Sequence, residues 1–108
     1  MRRNKVYDVL VYDAHLYGEL DKCMNILAPQ GKYFYIKHDK DGISPHYHIY
    51  ITFNELVRLS TVEILFQHYV CSKSFIKVAT MGKYPMIQYM LQNGKYDESD
   101  IKSNYDFQ

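Results

Sequence analysis

Along residues 46–53 the side chains alternate: Tyr47, Ile49, Ile51 and Phe53 fall on one face, His46, His48, Tyr50 and Thr52 on the other. This is the pattern of a strand with one buried face. The β-branched and aromatic run Val6–Tyr12 reads as a first strand, Tyr33–Lys37 as a second and Phe75–Ala79 as a short later one. Residues 14–27 carry Leu16, Leu20, Met24 and Leu27 at helical spacing, with Pro29 just beyond. Asn54 or Ser60-Thr61 opens a second helix to about Tyr69, striped by Leu59, Val62, Leu65, Phe66 and Tyr69. Pro85 at a first helical position and Gly94 past the end bracket a third helix. The order β-α-β-β-α-β, followed by one more helix, predicts an α+β fold built on a ferredoxin-like antiparallel sheet. Helices on one face of that sheet would leave an open face to carry chemistry.

The open face is where the candidate chemistry falls. His46 and His48, two apart on a strand, emerge side by side, which is the spacing needed to grip one metal ion from a rigid platform. Two ordinary surface histidines on a half-exposed strand give the same pattern. Upstream, Asp41-Gly42 is a turn signal between apolar runs, so residues 32–38 and 46–53 fold as a hairpin. The hairpin brings His38 and Asp41 toward His46, a mixed imidazole and carboxylate set suited to Mn²⁺, Mg²⁺ or Zn²⁺. Strict alternation, however, places His38 with Phe34 and Ile36, which look like core. Either the strand ends or bulges before His38, or His38 is not a ligand of this kind.

Length and composition agree with one small domain over residues 1–108, polar from about residue 95. With 108 residues, 47% hydrophobic and 23% charged, the chain can bury one modest core. No apolar run approaches the ~20 residues of a membrane span, and the basic start runs into a strand rather than a signal peptide. Cys23 and Cys71 form no C-x-x-C pattern and read as free thiols in a reducing cytoplasm. His15 and His68, each alone on a predicted helix, read as surface or capping residues. The net charge of +1 is small for a nucleic-acid protein, so distribution matters more than the total. Lys32, Lys37, Lys40, Lys73, Lys77 and Lys83 lie on or beside the predicted sheet, while Asp97, Glu98, Asp100 and Asp106 gather in the tail. The 12 tyrosines, with no tryptophan, include residues that could stack on unpaired bases, although most belong to packed strands.

The strings His38-Asp39-Lys40-Asp41 and Pro45-His46-Tyr47-His48, with Tyr89 in the later helix segment Gln88-Tyr89-Met90-Leu91, resemble the HUH endonucleases. The likeness is specifically to single-tyrosine initiators of rolling-circle plasmid replication, and Tyr96–Lys102 looks like the polar segment after their nuclease helix. It departs in a shorter loop between Asp41 and His46, and in Gln92 where relatives often carry histidine. The resemblance implies an HUH nuclease fold with His38, Asp41, His46 and His48 holding a divalent ion, Mn²⁺ or Mg²⁺, and Tyr89 as nucleophile. It implies a bacterial cytoplasmic enzyme that nicks single-stranded or extruded hairpin DNA at an origin. A covalent 5′-phosphotyrosine would retain the energy for strand transfer, and Lys40 and Lys83 would contact the DNA. An HUH transposase, or an inactive DNA-binding module of the same fold, are the alternatives.

The positions of the other tyrosines agree with Tyr89. Tyr47 faces the presumed core and Tyr50 is fixed to the sheet; Tyr7, Tyr12, Tyr33 and Tyr35 lie in strands, and Tyr96 and Tyr105 in the tail. Tyr84 precedes Pro85, which biases it away from helical geometry. Tyr89 sits mid-helix, where a side chain is held accurately enough for in-line attack.

Overall fold

The computed structural model describes residues 3–13, 20–40, 42–66 and 75–105. Among these the chain is α+β, with a five-stranded antiparallel sheet and three helices. The elements run β1 (Arg3–Tyr12), α1 (Leu20–Leu27), β2 (Gly31–His38), β3 (His46–Arg58), α2 (Leu59–Leu65), β4 (Ile76–Val78), α3 (Lys83–Leu91) and β5 (Lys102–Ser103). The sheet order β4-β1-β3-β2-β5 is compatible with a ferredoxin-like arrangement. No helix among the described residues is long and apolar enough to cross a membrane.

The alternation read along residues 46–53 is realised. Ile49, Ile51 and Phe53 are buried in a core completed by Tyr7, Val9 and Val11 of β1, by Leu20, Cys23, Met24 and Leu27 of α1, and by Val62 of α2 with Phe66 beyond it. The apolar stripes of α1 and α2 therefore cover one face of the sheet. The expected hairpin is also present, with β2 paired to β3 from Gly31↔Phe53 to His38↔His46. Gly42, at φ +74, lies in the connection, where a positive φ favours glycine.

The expectation of an open second face needs correction. Phe34, Ile36, Tyr50, Met86, Met90 and Tyr96 form a second buried cluster on the histidine-bearing side. Met86 and Met90, four apart, anchor α3 there. This packing removes the conflict over His38. Phe34 and Ile36 are core residues of the second cluster, so His38 shares their face and that of His46 and His48. Neither a bulge nor an early strand end is needed, since β2 pairs regularly through to His38.

Several boundaries differ from the sequence expectation. β3 extends to Arg58, five residues beyond Phe53, with Asn54, Glu55 and Leu56 exposed and the β1–β3 register shifted between Asn4 and Val6. The α3 helix begins at Lys83, so Pro85 lies within its first turn, where its missing N–H has no helical partner to lose. The expectations for His15, His68, Cys71 and Asp41 lie outside the described residues.

Candidate functional site

Strand pairing sets the positions of the polar groups before any side-chain contact is considered. His38 stands directly opposite His46, Ile36 opposite His48, and Phe34 opposite Tyr50. On the other flank of β3, β1 places Tyr12 opposite His46, Leu10 opposite His48 and Asp8 opposite Tyr50. Beyond β1, Lys77 of β4 pairs with Asp8. Paired residues in an antiparallel ladder share a face. Three histidines, one aspartate and one lysine therefore rise from the same side of the sheet.

Those side chains line a cleft of about 490 Å³ between the sheet and α3, with Tyr89 and Gln92 of the α3 end on its other wall. His38 is 3% and His46 5% exposed. The His38 ring lies 5.3 Å from that of His46 and 6.3 Å from that of His48, centroid to centroid. His38 Nε2 donates to the Met90 carbonyl at 2.8 Å, and His46 Nδ1 donates to the Ser44 carbonyl at 3.0 Å. A carbonyl can only accept, so each bond selects the tautomer whose other ring nitrogen carries the lone pair. Metal-binding imidazoles are oriented in this way. His46 also packs edge-on to Tyr12, at 5.9 Å between centroids.

Tyr89 follows from the helical period of α3. Met86 and Met90 point into the core, and Tyr89, one position before Met90, falls at the rim. It is 60% exposed, yet its ring stands at 89° to that of His48 with centroids 5.9 Å apart. Tyr84 is 65% exposed and lines a separate cleft with Ile87, Gln88 and Glu98. Of the two tyrosines considered for α3, only Tyr89 adjoins the histidines.

The two expected DNA-contacting lysines lie elsewhere. Lys83 Nζ sits 5.0 Å from the Tyr84 ring centroid and 4.9 Å from that of Tyr105, and Lys40 Nζ lies 5.0 Å from that of Tyr96. Among the described residues, Lys77 is the lysine that lines the histidine cleft.

Two participants were not singled out from the sequence. Tyr96, assigned to the polar tail, is buried, with its ring 4.9 Å from that of His38. Its hydroxyl oxygen accepts the backbone N–H groups of Asp39 and Lys40, both at 2.9 Å, tying down the chain just after His38. Asp8, in the middle of an apolar strand, is 5% exposed. Its Oδ1 lies 3.6 Å from His48 Nε2, and among the described residues it has no hydrogen-bond partner. A carboxylate inside β1 was the available signal, since burying an ionised group without a partner is costly.

The rings converge without closing: among the described residues, no three His, Cys, Asp or Glu side chains form a group that could hold a metal ion as they stand. The donor chemistry nevertheless fits a divalent ion, because two imidazoles are pre-oriented by carbonyls and a buried carboxylate oxygen nearby accepts no hydrogen bond from the described residues. No protein-family model matches this chain, and no curated protein matches it in sequence.

Proposed function

We propose that this chain is a metal-dependent DNA nickase and strand transferase of the HUH class that initiates rolling-circle plasmid replication in the bacterial cytoplasm. The observation carrying this reading is the juxtaposition of Tyr89 with His48, at the edge of a cleft that also contains His38 and His46. An exposed phenol beside buried imidazoles suits phosphodiester cleavage better than either feature suits packing alone.

His38, His46 and His48 would hold the ion, Mn²⁺ or Mg²⁺, with the Met90 and Ser44 carbonyls fixing two of the rings. When bound, such an ion would supply Lewis-acid polarisation of the scissile phosphate. Tyr89 supplies the nucleophile from a helix whose Met86 and Met90 anchor it to the sheet. Its Oη forms the new P–O bond as the bond to the 3′ oxygen breaks; the phenolic proton is lost and the departing 3′ oxygen gains one. The products are a 5′-phosphotyrosine and a free 3′ hydroxyl, and reversal with another 3′ hydroxyl transfers the strand. Lys77 contributes positive charge within the cleft, and Lys40 and Lys83 contact the flanking backbone. The rim position of Tyr89 favours a single strand or an extruded hairpin, whose phosphate can approach both α3 and the sheet.

The test is to incubate the protein and Mn²⁺ with end-labelled single-stranded oligonucleotides spanning candidate origin hairpins. The expected product is a covalent protein–DNA adduct on a denaturing gel, abolished by chelator. DNA that binds without forming an adduct would overturn the nickase reading in favour of a non-catalytic module.

A further inference from the structure

The chain leaving α3 takes an unusual path. Gln92, Asn93 and Gly94 adopt positive φ values of 49, 58 and 89 in succession. Glycine enters that region freely and asparagine tolerates it, but glutamine stays there only where its surroundings hold it. What holds it is the return of the chain: Lys95 N–H donates to the Gln92 carbonyl at 3.3 Å and Tyr96 N–H to the Leu91 carbonyl at 3.1 Å. This turn delivers Tyr96, 4% exposed, to the end of β2. There its ring meets that of His38 at 4.9 Å between centroids, and its hydroxyl oxygen accepts the N–H groups of Asp39 and Lys40 at 2.9 Å each. His38 Nε2 in turn donates to the Met90 carbonyl. The end of β2 and the end of α3 are thus joined twice.

We infer that Tyr96 is a positioning residue for the metal-binding cleft, fixing the start of the β2–β3 connection through its hydroxyl and the His38 imidazole through its ring. This inference rests on the metal reading of the histidine cleft. Asp39 and Lys40 are exposed, so their N–H groups could bond to water equally well. Two bonds to one buried oxygen give the chain a fixed point instead. The clamped pair stands in sequence between His38 and Asp41, the two hairpin residues proposed for the ion. A ligand set whose backbone is already held loses less freedom when the ion binds.

The test is Mn²⁺ binding by titration calorimetry, with no DNA present, on wild type, Tyr96→Phe and Tyr7→Phe. Tyr96→Phe keeps the ring and removes only the hydroxyl, and water can take up the two exposed N–H groups. Tyr7→Phe also removes one buried-ring hydroxyl, which donates to the Val57 carbonyl, from a residue of the core on the other face of the sheet. Tyr96→Phe is expected to weaken Mn²⁺ binding about tenfold, the loss that follows when a residue orienting a ligand is removed. Tyr7→Phe should bind as wild type does. Unchanged affinity in Tyr96→Phe overturns the inference and leaves the metal reading standing, and so does an equal loss in Tyr7→Phe, which would trace the effect to general stability. Absence of Mn²⁺ binding in wild type overturns both readings. Should Tyr96→Phe fail to fold, amide exchange in wild type decides. Saturating Mg²⁺ must slow exchange at Asp39 and Lys40, because an ion that binds the clamped form disfavours its opening; unchanged rates overturn the inference.

Discussion

His38 and His46 are direct cross-strand partners, and their rings meet at 5.3 Å and 76° on the sheet face beneath α3. The contact joins the two sequence motifs into one site. His38 is tied through Nε2 to the C-terminal turn of α3, the helix that also carries Tyr89. A displacement of α3 would therefore move the proposed nucleophile and one proposed ligand together.

Substituting the histidines should affect the fold unequally. His46 is buried against Tyr12 and His38, whereas His48 is half-buried. His46→Ala should lose the Mn²⁺-dependent adduct and about 1–3 kcal/mol of stability, the usual range for a truncation that leaves a cavity. His48→Ala should lose the adduct with a smaller stability change. Urea unfolding beside the nicking assay distinguishes the two effects; an active His48→Ala enzyme contradicts the metal site.

Removing the Tyr89 hydroxyl should abolish adduct formation while leaving the fold intact, since this side chain is 60% exposed. Tyr89→Phe is expected to bind single-stranded DNA as wild type does and to give no covalent band. Tyr84→Phe, facing a different cleft, should cleave normally. Normal nicking by Tyr89→Phe would rule out the assignment.

Gly31 is required by a close approach rather than by backbone conformation. An added Cβ would come within 2.4 Å of the Thr52 carbonyl oxygen and 2.8 Å of Phe53 Cα, both backbone atoms of β3. Its φ of 172 is ordinary extended backbone. Gly31→Ala should cost about 1–3 kcal/mol, as other overpacking changes do, by forcing β2 away from β3. The chemical-denaturation midpoint measures it, and an unchanged midpoint contradicts the steric account.

Alkaline pH should weaken the fold. Burial raises the Cys23 thiol from 9.0 to about 11, and burial is also the leading cause of the upward shifts at Tyr35, Tyr47, Tyr50 and Tyr105. In each case the folded state keeps its proton after the unfolded chain has begun to lose it. The stability linked to these groups is complete below the unfolded value and falls as pH rises through the folded one. For Cys23 that window runs from about 9 to about 11. Urea midpoints at pH 8 and 10.5 should show the decline, and a higher midpoint at 10.5 would contradict it.

How far the sequence leads can be judged at individual positions. Alternation from His46 to Phe53 was legible because Ile49, Ile51 and Phe53 are apolar and must be buried. Asp41-Gly42 marked the hairpin, and its pairing then brought His38 opposite His46. The ambiguity at His38 arose because alternation assumes one buried face, whereas α3 makes a second core around Phe34 and Ile36. Tyr96 was misplaced because a polar neighbourhood in sequence does not reveal a ring that folds back against His38.

Local sequence determined the strands, the hairpin and the shared face of His46 and His48, because period-two burial and turn chemistry act over a few residues. Tertiary structure decided which elements surround that face. The burial of Asp8 depends on β4 and β3 flanking β1, and the contact of Tyr89 with His48 depends on α3 docking through Met86 and Met90. These relationships join residues about forty apart or more, and chain-distant packing leaves no local period to read.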